Sequence, residues 1–268
     1  MDSSISPNIV IINHQVSYYS ICQIFGNIIA GHDTTSSMLA WMLKFLTDKP
    51  SAQSKLRSEL YTSYSDAVTE RRCPSFVEIA SSRIAYLDAV LEESLRLSSI
   101  SVTREATCDT ELLGHHVPKG TVVVLVSNGP SCYSPSFNID ESMRSLTSRA
   151  ASPRKWDEGS DMKAFEPERW LAKGGNIDTG AVEGDFDPTA GPQLVFGLGT
   201  RGCFGKRLAY LEARIITTMI VWNFELLPVP TSLGGYAAVD GVTHRARQCF
   251  VRLKICSRIV LVRMSSME

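Results

Sequence analysis

The sequence predicts a mainly α fold with small β-sheets. Three observations carry the prediction. Residues 17–46 form one stretch that is apolar on most sides, the pattern of a helix buried at the centre of a domain. Ile84, Leu87, Val90, Leu91 and Leu95 then recur at helical spacing within 83–97. After Ser98 the apolar runs are short and are punctuated by Gly and Pro, the texture of strands and turns.

Each element follows from its residues. The stretch 17–46 reads as one long helix. Pro50 sits where proline is tolerated, in the first turn of a second helix running to about Leu60. A polar stretch through Arg72 and Pro74 breaks the pattern. A third helix spans 83–97, with Ser81 or Ser82 available as its cap. SVTREAT and ELLGHHVPKGTVVVLVS supply short strands, with His115 and His116 at an exposed hairpin end rather than on a metal. Residues 129–162 and 172–193 are rich in Gly, Pro, Ser and charge and predict irregular connections. Helix returns from about Gly205 to Trp222, and the tail from Pro228 holds turns and short strands such as CFVRLKI. No internal repeat, low-complexity tract or second domain is evident.

Composition excludes several function classes. With 27 Lys+Arg against 28 Asp+Glu, the chain has no basic excess that would point to nucleic acid. Its seven cysteines are scattered, which argues against a secreted disulfide framework, and none has a partner at zinc spacing. MDSSISPNIV lacks a positive region followed by an apolar stretch, so no signal peptide is expected. Gln23, Asn27, His32, Asp33 and Lys44 interrupt the apolar run, so a buried helix is expected there rather than a membrane span.

Three stretches carry chemistry. AGHDTT, residues 30–35, puts the acid Asp33 beside the hydroxyl of Thr34 within the long helix, next to the small residues Ala30 and Gly31. A buried Asp is expensive unless paired. ESLR places Glu93 and Arg96 three apart on one helix face, and Arg169 of FEPERW could reach back to Glu93. FGLGTRGCFG, residues 196–205, surrounds Cys203 with four glycines. A nucleophilic cysteine would want a His base, and none is near in sequence, although a distant one stays open. The glycines instead suit a chain wrapped around a metal-binding sulfur, with backbone N–H groups directed at it. Arg201 could neutralise an acidic cofactor group beside it.

These stretches resemble the cytochrome P450 family of haem-thiolate enzymes. FGLGTRGCFG is similar to the family's cysteine-ligand loop at Phe196, Gly199, Arg201, Cys203 and Gly205, and Ala209 continues it. AGHDTT resembles the oxygen-activation motif, ESLR the Glu-x-x-Arg pair and PERW the Pro-Glu-Arg motif, all in the family's order. GPSCYSPSFNIDESMRS is similar in style to filamentous-fungal members.

The resemblance implies a haem whose axial ligand is the Cys203 thiolate, shielded by Phe196, with Arg201 and Arg104 on its propionates. It implies that Asp33 and Thr34 organise proton delivery, with Ala30 and Gly31 giving room. Glu93, Arg96 and Arg169 would form a buried charged triad that holds the haem loop. Ile100 and Val102 would border the substrate. The implied reaction inserts one oxygen atom from O2 into a small, lipophilic, secondary-metabolite-like organic substrate. Electrons would come from a separate donor of the NADPH–cytochrome P450 reductase type, and no nucleic acid takes part. The implied location is intracellular; full-length relatives are usually held at the endoplasmic reticulum by an anchor not found here.

The resemblance covers nearly the whole chain from about Gln23, yet only the C-terminal half of the fold. Residues 1–268 are therefore expected to be the C-terminal part of a single domain, from the oxygen-activation helix onward, with the N-terminal half absent. Much of the apolar face of 17–46 would then lack its cover, and the isolated chain is expected to be poorly soluble or haem-free. Rival readings are a haem-thiolate isomerase or dehydratase, against which the Asp33–Thr34 pair speaks, a non-catalytic fragment, and a cysteine hydrolase.

Overall fold

The computed structural model describes residues 18–99, 101–150, 159, 161–174, 182–241 and 243–256. The long helix α1, Tyr18–Asp48, forms the axis on which the rest assembles. Its second half is the buried part: Met38, Trp41, Met42, Phe45 and Leu46 lie in the main core. Its first half is not. Ile24, Phe25, Ile28 and Ile29 are more than half exposed, so the burial expected along the whole helix holds only from about Ser37 onward.

Pro50 opens α2, Pro50–Ser63, whose buried Gln53 ties two elements together. Its amide nitrogen donates to the carbonyls of Leu46 and Leu226, and its amide oxygen accepts from Leu226 N–H at 2.8 Å. Two short helices, α3 Ser65–Thr69 and α4 Phe76–Ser81, occupy the polar stretch where no element was expected. Helix α4 exists because Ser75 and Glu78 form a reciprocal capping box, a local signal that a search for apolar periodicity passes over.

Helix α5, Ala85–Leu97, is buried from Tyr86 to Leu97 on every side. The expected caps are spent elsewhere. Ser81 Oγ donates to Val77 O, Ser82 Oγ pairs with Tyr64 Oη, and α5 starts at an extended Ile84 without a side-chain cap.

Strands β1 (Val102–Glu105) and β4 (Val122–Leu125) pair antiparallel and enclose the β2–β3 hairpin, Thr110–Leu112 with His115–Val117. His115 and His116 are exposed on β3. The connection that follows holds a 3₁₀ turn at Glu141–Met143, the short helix α6 Leu146–Ala150, and a second 3₁₀ turn at Pro167–Trp170 that packs on α5.

Helix α7, Lys206–Asn223, packs against α1, α2, α4 and α5. It runs directly into β5, Phe224–Leu227, a strand in the stretch between the expected helix end at about Trp222 and the expected tail from Pro228. Strand β5 pairs with β8, Arg252–Ile255, and β6 (Ala238–Asp240) pairs with β7 (His244–Ala246) against α1. Trp41 Nε1 and Ser37 Oγ both donate to His244 O, at 2.6 and 3.0 Å, and so fasten that hairpin to α1. Among the described residues no helix is long and apolar enough to cross a membrane.

Candidate active site

The loop before α7 takes its shape from its glycines. Gly197 has φ +65°, and a Cβ there would lie 3.3 Å from Arg201 O and 3.6 Å from Arg104 Nη2. Only glycine meets both demands without strain. The loop then closes on itself: Gly197 N donates to Leu194 O, Gly202 N to Gly199 O, and Cys203 N to Phe196 O at 2.7 Å. The amides of Gly197, Gly202 and Cys203 are thus spent on carbonyls rather than directed at the sulfur. The glycines set the turn that presents an exposed thiol just ahead of α7.

That thiol borders a cavity, partly open to solvent, between α1, α5, the loop and α7. Its wall is mostly apolar, with Met38, Leu91, Leu95, Val195 and Ala213 among its members. Phe196 and Ala209 line it beside the sulfur, and Thr34 lines it from α1. Phe196 packs against Tyr210 at 5.2 Å between ring centroids. The remaining loop residues Gly199, Arg201 and Gly205 shape or flank the loop without bordering this cavity, and Arg201 is exposed.

Arg104 on β1 is exposed, and its guanidinium reaches both Thr103 O and the neighbourhood of Gly197. Thr34 Oγ1 donates back to Ala30 O at 2.6 Å. Asp33 is half-buried, and its Oδ2 accepts from Thr243 Oγ1 at 3.0 Å, so its partner comes from the far end of the chain. Gly31 faces open space in a groove between α1 and α7, away from the thiol cavity. Val102 is half-buried on β1, and Ile100 lies outside the described residues.

Beneath the cavity wall sits a buried charged cluster. Glu93 and Arg96 are fully or almost fully buried, and Arg96 Nη2 lies 2.7 Å from Glu93 Oε1. Arg169 Nε comes within 3.7 Å of the same oxygen. Glu166 N–H and Trp170 Nε1 also donate to the Glu93 carboxylate, at 2.9 and 3.0 Å. Arg96 donates in addition to the carbonyls of Cys132, Met162 and Ala164. A carboxylate with this many donors satisfies the condition on which a buried charge is tolerated. The cluster thus pins the long connection onto α5.

Sequence reasoning missed three members of this region. Trp170 stands in PERW, and its indole N–H was the available signal. Asp88 and Glu92 lie about two turns and one turn before Arg96 on α5, and both reach side chains of α7. Asp88 is held by both arms of Arg214, at 2.7 and 2.9 Å. Glu92 accepts from Tyr210 Oη and from Gln193 Nε2 at 3.0 Å. Burial pushes both carboxyls above the usual carboxylate range, and burial together with the Glu92 charge pushes the Tyr210 phenol up.

The chain is helix-rich with small antiparallel sheets, and it presents a loop thiol to a largely apolar cavity that its longest helix helps to line. Comparison gives this build a family. The family model described as Cytochrome P450 matches residues 21–129 and 154–233. The chain is 44% identical over 256 residues to the cytochrome P450 monooxygenase TRI13 of Fusarium sporotrichioides, covering 90% of this chain and 43% of that one. It is 46% identical over 235 residues to xilC of Penicillium crustosum (87% and 40%), and 41% identical over 243 residues to cyp3.1 of Dothistroma septosporum (86% and 76%). A crystal structure of a cytochrome P450, CYP102L1, superimposes with TM-score 0.63 at 23% identity, over 87% of this chain and 45% of that one. This chain belongs to the cytochrome P450 family. It spans about two fifths of the length of the first two relatives. The family's members are haem-iron oxidoreductases that use O2, an organic substrate and a redox partner.

Proposed function

We propose that these residues are the C-terminal portion, from the oxygen-activation helix onward, of a single haem-thiolate monooxygenase domain. The completed domain inserts one oxygen atom from O2 into a lipophilic organic substrate of the secondary-metabolite kind. Electrons come from a separate reductase of the NADPH-dependent type. One observation carries the reading: Cys203 Sγ and Thr34, far apart in sequence, border the same largely apolar cavity.

The donor set suits a porphyrin. Apolar side chains line the cavity, a thiol faces it, and two guanidinium groups, Arg104 and Arg201, lie on or beside the thiol loop where they can meet propionates. Bound through the Cys203 thiolate, the haem supplies iron whose electron-rich ligand favours O–O cleavage. Phe196, beside Cys203 in the cavity wall, would shield the sulfur face once the group is bound. The buried Glu93–Arg96–Arg169 cluster fixes the connection that supports the loop. Thr34 donates its own proton to Ala30 O, which leaves its oxygen free to accept from a cavity water. Asp33, half-exposed, exchanges protons with solvent and feeds them inward.

The carbon-monoxide difference spectrum of the reduced protein tests the assignment, for this chain and for the chain joined to an N-terminal half from a relative. The expected result is a strongly red-shifted Soret band that disappears in Cys203→Ser. A histidine-like band, or a band that survives the substitution, would remove Cys203 from the iron.

A further inference from the structure

Asp33 is not among the residues that border the thiol cavity, although its neighbour Thr34 is. The hydroxyl that stands between Asp33 and the cavity belongs to Thr243, which does border it. Thr243 Oγ1 donates to Asp33 Oδ2 at 3.0 Å. Its backbone is not free to wander. The next residue, His244, takes hydrogen bonds on its carbonyl from Ser37 and Trp41 of α1, and its ring stacks on Trp41 at 5.2 Å with planes 9° apart. His244 is thereby fastened to the same helix that carries Asp33, about one and two turns away.

We propose that Thr243 is a positioning residue for Asp33, one that orients its carboxylate and links it to the cavity. The proposal rests on the monooxygenase reading given above. A hydroxyl can donate and accept at once. When Asp33 is charged, Thr243 donates to it and holds one carboxylate oxygen toward the hairpin. When Asp33 has taken a proton from solvent, the direction reverses. The carboxyl O–H bond breaks as a new O–H forms on Thr243 Oγ1, and Thr243's original proton passes to an acceptor in the cavity. Thr243 ends as it began, and one proton has moved from Asp33 to the cavity.

Two measurements test this. The first is a double-mutant cycle on the chain itself, with Thr243→Val, Asp33→Asn and the double variant, read by urea unfolding. A hydrogen bond to a charged group predicts coupling of roughly 10-fold in the unfolding equilibrium constant, retained when serine replaces Thr243. Additive effects would overturn the proposal.

The second uses the haem-loaded protein with reductase and NADPH, without added substrate. O2 then leaves either as hydrogen peroxide, with two electrons and two protons, or as two waters, with four of each. Slower proton delivery raises the peroxide released per NADPH consumed. We expect a rise of several-fold in Thr243→Val and a return to the wild-type ratio in Thr243→Ser. An unchanged ratio in Thr243→Val, or a raised one in Thr243→Ser, would overturn the proposal. Absence of the thiolate Soret band in the wild type would instead fell the haem reading, while the cycle still decides whether Thr243 positions Asp33.

Discussion

Trp170 Nε1 donates to Glu93 Oε2 at 3.0 Å, the same carboxylate oxygen that accepts from Arg96 Nε at 2.8 Å. An indole from the connection and a guanidinium from α5 thus share one buried acceptor. Removing the charge and removing one donor should therefore have different consequences. Glu93→Ala strands the buried Arg96 and should lower unfolding stability by about 3–5 kcal/mol, or prevent folding. Trp170→Phe removes the N–H together with the five-membered half of a fully buried indole, so it should cost about 1–3 kcal/mol for the hydrogen bond plus the cost of the void left behind. Urea denaturation monitored by circular dichroism separates the two, and equal losses would mean that ring packing, not the hydrogen bond, is what Trp170 contributes.

Glu92 offers a pH prediction of opposite sense to the usual carboxylate. Burial raises its folded pKa above the unfolded value, partly offset by its bonds to Tyr210 and Gln193. Through the window above the ordinary carboxylate value the unfolded state has lost the proton and the folded state still holds it. Its contribution to stability therefore falls as pH rises through that window. Glu92→Gln, which keeps an acceptor for Tyr210, should remove this slope. Urea midpoints between pH 4 and 8 should show the wild type declining relative to Glu92→Gln, and parallel curves would place the Glu92 carboxyl at its ordinary value.

The same neighbourhood indicates what the sequence could reveal. Helix α5 was legible because its apolar residues repeat at helical spacing, and the ESLR pair because it sits three residues apart on that helix. Cys203 was legible because glycines and arginine surround it in an unusual local pattern. What stayed hidden is long-range. Nothing around Asp88 or Glu92 announces Arg214 or Tyr210, more than a hundred residues on, and nothing near Asp33 announces Thr243. The exposed first half of α1 agrees with the expectation that much of the apolar face of 17–46 lacks its cover: apolar residues predict that a face wants burial, and only the neighbours decide whether it is buried.

Glu78 titrates in the ordinary direction. Arg72 grips its carboxylate with both arms, and Ser75 adds its hydroxyl and its backbone N–H, which together hold the Glu78 carboxyl down at about 2. A folded pKa below the unfolded one means stabilisation that is complete above the unfolded value and is lost as pH falls toward about 2. Hydrogen exchange of the α4 amides, corrected for intrinsic rates, should lose protection between pH 5 and pH 2.5 in the wild type. In Glu78→Gln the protection should be lower at pH 5 and nearly flat below it. A wild-type profile without that slope would contradict the grip on Glu78.

Gly197 ties the backbone argument to the thiol. Its φ of +65° is strained for any residue with a Cβ, which costs about 1–2 kcal/mol at such a position. A methyl there would also press on Arg201 O at 3.3 Å and approach the Arg104 guanidinium at 3.6 Å. Because Cys203 N is hydrogen-bonded to Phe196 O, a shift at 197 passes directly to the sulfur-bearing residue. Gly197→Ala should therefore weaken haem retention at least several-fold while lowering global stability only modestly. Cys203→Ser, which leaves the backbone undisturbed, should abolish the thiolate Soret band with little change in the urea midpoint. The comparison is made by haem titration and denaturation on the same preparations. If Gly197→Ala bound haem as tightly as the wild type, the loop would tolerate a side chain where its φ and its tight contact with Arg201 O disfavour one, and the cradle built around Cys203 would have to be abandoned.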